Sequence, residues 1–322
     1  MKKVLLTSVG VMFSLFFLSC SSEDELQVAK ADTNSFYGRF SPSINEDGTR
    51  AYVNPADRTT IWGIGDAVGV FATSGPQQSQ IEFVVQEVLE GGSACKFTPG
   101  SYFNRPGFEF VSYYPLQEKF LRYNSDIELS LAGQSQAAND NASKVSEHIF
   151  YVTDPCEPLN ETTFDFAYNR FWALAYTDFT MPKAGTWTKF TLKAPAGKYF
   201  HENIKYNFAK DGGAGITQSD NASSITLTLG ENGEGITTAA GENLKLFMFI
   251  CPTDMEGQDL IAEVQDNNGI VYSCVISGMS GSNPRTFFAT NTNYRLAGSP
   301  VKSGNIDDIT GTGRNFNPMR TE

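Results

Sequence analysis

The sequence predicts an all-β protein, and three observations carry that reading. Apolar and polar residues alternate with period two along several runs, Gly, Asn and Pro punctuate those runs, and long apolar stripes at the 3.6-residue helical period are absent. The composition agrees. Charged residues make up only 19%, while 25 Phe, 13 Tyr and 29 Gly suit strands and turns. Many short strands with such punctuation point to antiparallel β-sandwiches.

The chain starts with a segment that is not part of the fold. Met1-Lys2-Lys3 is followed by an apolar run from Val4 to Leu18, about 15 residues and so shorter than the roughly 20 needed to span a bilayer as a helix. A short basic start and a short apolar stretch read as a secretory signal, residues 1–19. Ser19 is a small residue directly before Cys20, the cut point expected of a bacterial lipoprotein signal, with the Cys20 thiol as lipid acceptor. Phe17 departs from the usual leucine-led box. Loss of residues 1–19 removes Lys2 and Lys3 and no acid, so the formal charge moves from −12 to −14. Such an acidic chain repels phosphate backbones, which argues against nucleic-acid binding.

Residues 20–35 are polar and read as a flexible tether. Beyond them, Ile127, Leu129 and Leu131 alternate with Asp126, Glu128 and Ser130. Ile225, Leu227 and Leu229 alternate with Thr226 and Thr228, and Phe190 and Leu192 with Lys189, Thr191 and Lys193. Each is a half-buried strand. Asn267-Asn268-Gly269 lies between Leu260–Val264 and Ile270–Ile276 and predicts a hairpin, because Asn and Gly tolerate positive φ. Glu231–Gly235 reads as another turn, and Ala137–Glu147 as the one short helical piece. Two prolines in Asp154-Pro155-Cys156-Glu157-Pro158 disfavour regular structure. The chain is therefore divided near residue 160 into an N-terminal domain, 36–160, and a C-terminal domain, 161–298. A polar tail follows at 299–322.

Catalytic and metal-binding patterns find little support. His148 and His201 each lack a second ligand at metal spacing, and there is no CxxC, GxSxG or HExxH. No metal, cofactor or catalytic residue is assigned, and no enzymatic activity is expected. Gly63-Ile64-Gly65-Asp66-Ala67-Val68-Gly69 lacks GxGxxG spacing and reads as strand, turn and strand. Asp307-Asp308 reads as solvated acids. Carbohydrate cleavage needs two acids that meet in space, and the sequence singles out no pair. Four cysteines remain after Cys20, namely Cys95, Cys156, Cys251 and Cys274. They allow three pairings, but Cys251 and Cys274 sit in apolar runs and read as free, buried thiols.

Several segments, in order, resemble the fimbrillin family of Bacteroidales: type V pilins of the FimA/Mfa type and their minor subunits. Trp62-x-x-Gly65-Asp66-x-Val68-Gly69-Val70-Phe71 resembles the family's opening motif, and Thr49-Arg50-Ala51 precedes it. Phe108–Tyr114 followed by Pro115 resembles its aromatic strand ending in Tyr-Pro, and Leu129–Gln134 the strand leading to a recurrent Gln. Phe164-Asp165-Phe166 and Ala173–Tyr176 resemble a later strand pair, although Tyr168 and Asn169 stand where a histidine is expected. Asn293-Tyr294-Arg295-Leu296 resembles the closing strand. Glu23-Asp24-Glu25 after Cys20 resembles the surface-export signal of Bacteroidetes lipoproteins. The match covers roughly residues 1–297.

The resemblance implies two β-sandwich domains of transthyretin-like topology in tandem. It implies export as a lipoprotein to the outer-membrane surface, with lipid on Cys20, and release into extracellular fimbriae after processing. In polymerising members an arginine- or lysine-specific protease cuts near the start of the first domain and removes the first strand, and a strand from another fimbrial subunit fills the groove. Arg50 is the preferred cut here, in a polar turn-like segment, with Arg39 and Arg58 as alternatives and Phe36–Phe40 as the strand removed. An inserted strand burying four or five apolar side chains, at about 1.5–3 kcal/mol each, gains on the order of 10 kcal/mol before ordering costs. The tail lacks sustained alternation across Val301, Ile306, Ile309, Phe316 and Met319, so tip, shaft and anchor roles all stay open, as does a host or bacterial surface receptor. The competing reading is a surface lipoprotein that binds glycans without polymerising, with Trp62, Trp172 and Trp187 as stacking platforms. Exposed tryptophans favour it and buried ones oppose it.

Overall fold

The computed structural model describes residues 36–40, 60–75, 78–100, 108–117, 121–157, 159, 163–210, 215–255, 259–276, 287–288, 290 and 292–302. Cys20, Arg50, Arg58 and Asp307-Asp308 lie outside these residues. The described chain is all-β, with three short 3-10 turns and no α-helix among the described residues. In the first half the strands are β1 (Phe36–Phe40), β2 (Ala67–Ala72), β3 (Ile81–Leu89), β4 (Ala94–Pro99), β5 (Phe110–Tyr114), β6 (Asp126–Ser130), β7 (Ser135–Gln136), β8 (Tyr151–Thr153) and β9 (Phe164–Arg170). The second half holds β10 (Ala173–Thr180), β11 (Gly185–Lys193), β12 (Asn203–Asn207), β13 (Ile216–Ser219), β14 (Ser224–Leu229), β15 (Ile236–Thr238) and β16 (Asn243–Leu244). It continues with β17 (Phe247–Ile250), β18 (Thr253–Asp254), β19 (Leu260–Asp266), β20 (Val271–Ile276), β21 (Phe287–Phe288), β22 (Asn293–Gly298) and β23 (Val301–Lys302).

Seven strands close into a barrel in the order β1-β4-β3-β2-β5-β8-β9. Every neighbouring pair is antiparallel except the closing one, where β1 runs parallel to β9. Closure leaves no free edge. The interior is largely aromatic, with Phe36, Phe40, Trp62, Phe83, Phe97, Phe110, Tyr151, Phe164, Phe166 and Tyr168 in one buried cluster.

The second half supplies most strands of two further sheets, of four and seven strands, with a common core. In one, β10 is flanked by β22 on one side and by β16 and β17 on the other. The other has the order β23-β20-β19-β11-β14-β7, with β15 also on β11. Phe179 from the first sheet meets Phe190 from the second at 5.8 Å between ring centres. The barrel's outer face joins this core through Phe71, Val111 and Tyr113, whose contacts include Phe208 at 5.1 Å from Phe71 and 5.0 Å from Tyr113. Strands cross residue 160 in both directions. β9 completes the barrel, while β6 pairs with β12 and β7 with β14.

The alternation read from sequence is seen in the burial of β6, β11 and β14. The hairpin at Asn267–Gly269 joins β19 to β20, with Gly269 at φ +78°. The helical reading of Ala137–Glu147 is corrected to one 3-10 turn, Val145–His148. The residues before it satisfy backbone groups with side chains instead: Ser143 N–H donates to Asn141 Oδ1 at 2.9 Å, and Lys245 N–H to Asn139 Oδ1 at 2.8 Å. Asn side chains compete with helix in this way.

The glycines around Asp66 serve a turn and a close approach. Gly65 has φ +89°, and the Asp66 carboxylate accepts the Gly63 N–H at 2.7 Å. A Cβ on Gly69 would stand 2.1 Å from Tyr113 Cε1, so the ring of Tyr113 lies directly on the backbone there.

Candidate functional site

β1 is the seam of the barrel, held on one side by β4 and on the other by β9. Its five residues alternate in burial, with Phe36, Gly38 and Phe40 inward and Tyr37 and Arg39 half-exposed. Phe36 lies edge-on to Phe83 at 4.8 Å and stacks on Phe164 at 5.5 Å. Phe40 stacks on Trp62 at 4.2 Å and tilts against Tyr151 at 4.6 Å. These are two apolar pockets, each walled by aromatic rings, and each filled by one β1 side chain.

Between the pockets the groove floor rises to meet the backbone. A Cβ on Gly38 would stand 2.4 Å from Phe97 Cε2 and 3.0 Å from Tyr168 Cε2. Tyr168 is held in place from behind. Ser112 Oγ donates to the Gly69 carbonyl at 3.1 Å, which leaves the Tyr168 hydroxyl as the donor in their 2.5 Å hydrogen bond. Tyr168, which stands in place of the expected histidine, thus forms part of the floor. Cys95 lies opposite Gly38 in register and is fully buried.

The outer rim carries one ion pair. Arg39 Nε and one terminal nitrogen donate to the two Asp165 oxygens at 3.0 and 2.6 Å. Both side chains are about one-third exposed, so the pair stabilises by about 1 kcal/mol at most, its forked geometry notwithstanding. Arg39, an alternative cut site by sequence, therefore sits within a doubly hydrogen-bonded strand with its side chain engaged.

At the far end of β9, Arg170 is buried. Its Nε donates to the Trp172 carbonyl at 2.8 Å, and a terminal nitrogen donates to the Thr292 carbonyl at 2.9 Å and Asn293 Oδ1 at 2.6 Å. It thereby ties the barrel to the start of β22. Tyr151, opposite Arg170 in register, shares a hydrogen bond with Thr60. Burial pushes the Tyr151 phenol up to about 12, with the adjacent guanidinium pulling the other way.

The remaining residues named from sequence are structural in their surroundings. Trp62, Trp172 and Trp187 are all at most 2% exposed, so none offers a face for sugar stacking. Trp172 Nε1–H donates to the His148 carbonyl and Trp187 Nε1–H to Thr238 Oγ1, each at 2.8 Å. His148 lies against the Ser130 carbonyl and His201 against that of Asp220. All four described cysteines are free. Burial pushes Cys156, Cys251 and Cys274 up to about 12 and Cys95 higher still, which keeps them as unreactive thiols at neutral pH. Among the described residues no group of three or more His, Cys, Asp or Glu is placed to hold a metal ion. Gly38, Tyr168 and Asp165 form the site but were not singled out as site residues from sequence. The available signal was the glycine flanked two residues away on each side by phenylalanine.

No family model matches the chain, and no curated protein matches it. Solved structures do. A candidate cell adhesion protein from Bacteroides uniformis aligns with a TM-score of 0.53 at 15% identity, over 84% of this chain and 95% of the other. A second, from Bacteroides ovatus, aligns with a TM-score of 0.52 at 14% identity, over 84% and 94%. The fold is shared with these two proteins, in agreement with the resemblance read from the sequence. The tip fimbrial protein Mfa3 from Porphyromonas gingivalis, truncated at its C-terminus, gives 0.39 at 10% identity, over 83% and 94%, a likeness too weak to argue from.

Proposed function

We propose that this chain is a non-catalytic structural subunit of a cell-surface fimbria, of the fimbrillin type, serving adhesion. In this reading it travels to the outer membrane as a lipoprotein through Cys20. A cut at Arg50 then frees β1, and a strand from another fimbrial subunit takes its place between β4 and β9. The division into tandem transthyretin-like domains near residue 160 belongs to the same reading, with β6, β7 and β9 exchanged across it.

The supporting observation is the position of β1. It is a five-residue strand that closes the barrel, contributes only Phe36 and Phe40 as large inward side chains, and precedes the segment that holds Arg50. Two such side chains supply about 3–6 kcal/mol. That is less than the sequence-based figure for a full donor strand, so a longer strand with more inward apolar residues displaces β1 favourably. Arg50 is preferred to Arg39 because cutting within β1 requires the strand to leave the barrel first. The glycan-binding alternative loses its platforms, since all three tryptophans are buried.

Intact mass and N-terminal sequencing of the protein recovered from native surface assemblies test this reading. A start at Ala51 is the expected result. A lipidated start at Cys20 throughout the assembled material overturns the strand-replacement step. Cys95 provides a second readout: cutting and removal of β1 is expected to raise its labelling by a thiol reagent, which the intact barrel excludes.

A further inference from the structure

The contacts of the resident strand define what the emptied groove selects. Three inward positions are constrained differently: an aromatic pocket at Phe36, a floor without room for a Cβ at Gly38, and an aromatic pocket at Phe40. The rings beneath Gly38 cannot easily yield. Phe97 and Tyr168 are at most 1% exposed, and Tyr168 is hydrogen-bonded to Ser112. On the outer face, Asp165 accepts both nitrogens of the Arg39 fork, and it stays behind on β9 when β1 leaves.

We infer that the groove between β4 and β9, once emptied as proposed above, selects an extended segment of the pattern aromatic–x–Gly–basic–aromatic. Glycine fixes the register, because a one-residue slip brings a side chain onto Phe97 and turns both aromatics outward. The basic residue adds preference at the rim by pairing with Asp165, which is otherwise left as an uncompensated acid in a strongly acidic protein.

The pattern also identifies the kind of partner. Phe36–Phe40 is the one stretch of this sequence with aromatic residues both two before and two after a glycine. The stretch 299–322 contains Gly304, Gly311 and Gly313, none flanked in this way. Residues 1–322 of a second copy thus offer no matching segment beyond the strand already in use, and the pattern points to a strand from a different protein, in a heterologous joint.

The test uses the full mature chain, cut with an arginine-specific protease, unfolded in urea and refolded with fluorescent synthetic peptides spanning residues 33–45. The parent peptide is expected to be incorporated in place of the native strand. A Gly38→Val peptide is expected to bind about 5- to 150-fold more weakly, as overpacking costs of 1–3 kcal/mol imply. An Arg39→Glu peptide is expected to lose about threefold or more, with the difference shrinking in high salt. Equal incorporation of the parent and Gly38→Val peptides overturns the pattern while leaving strand replacement intact. Incorporation of no peptide, with residues 36–40 always retained, overturns strand replacement and the pattern with it.

Discussion

The barrel and the sheets that follow it solve the problem of exposed strand edges in different ways. The barrel closes on itself, and closure depends on one short strand, β1, whose parallel partner β9 lies 128 residues later at Phe36↔Phe164. In the second half, β17 is covered by side chains. Gln134 accepts the Phe249 N–H at 2.7 Å and donates to the Phe249 carbonyl at 2.9 Å. Gln136 accepts the Phe247 N–H at 2.8 Å and donates to the Lys245 carbonyl at 2.9 Å. Two buried amides thus act as a surrogate strand along that edge. An edge covered by interior side chains is fixed by the fold itself, whereas under the proposed cut at Arg50 the edge covered by β1 is opened. That contrast is why the proposed exchange is assigned to the barrel.

The largest expected effect comes from emptying a pocket of the seam. Phe40→Ala removes a ring stacked between Trp62 and Tyr151 and is expected to cost about 3–5 kcal/mol in chemical denaturation. A loss below about 1 kcal/mol would show that β1 contributes little to barrel closure. Next comes the surrogate strand. Gln134→Ala leaves a buried N–H and carbonyl of Phe249 unpaired and is expected to cost on the order of 3 kcal/mol, with faster hydrogen exchange at Phe249. Preserved protection there would mean that the edge does not depend on the amide.

The smallest effect is a pH dependence in the second half. Lys183 donates to Asp266 at 2.9 Å, and the N–H groups of Asn268 and Ile270 donate to it at 2.9 Å each. Together they hold its carboxyl below the usual range despite burial. A folded-state value below the unfolded one stabilises at pH above the unfolded value of about 3.9 and is lost as pH falls through the folded value. The melting temperature of Asp266→Asn is expected to fall less steeply below pH 4 than that of the parent. Parallel curves would place the acid sensitivity elsewhere.

Much of the fold was legible because burial on one face writes itself into sequence at period two. Ile127 and Leu129, Phe190 and Leu192, and Ile225, Leu227 and Leu229 all lie inward as read, and Asn267–Gly269 makes the turn its residues demand. Pairing was not legible. Nothing local in Phe36–Phe40 names β4 and β9 as neighbours, and nothing local in Phe164–Arg170 places that strand in the barrel rather than beyond residue 160. Gln134 and Gln136 look like surface residues in a polar stretch, and only the backbone they meet, more than 100 residues away, explains their burial.

The sequence by itself determined the all-β class, the faces of its strands and the absence of any recognisable catalytic motif, because these follow from side-chain chemistry and short-range periodicity. The tertiary structure decided that β1 closes a barrel, that Tyr168 and Phe97 leave room only for glycine beneath it, and that Asp165 pairs with Arg39. Those depend on contacts between segments far apart in the chain, whose energies exist only once the barrel has brought them together.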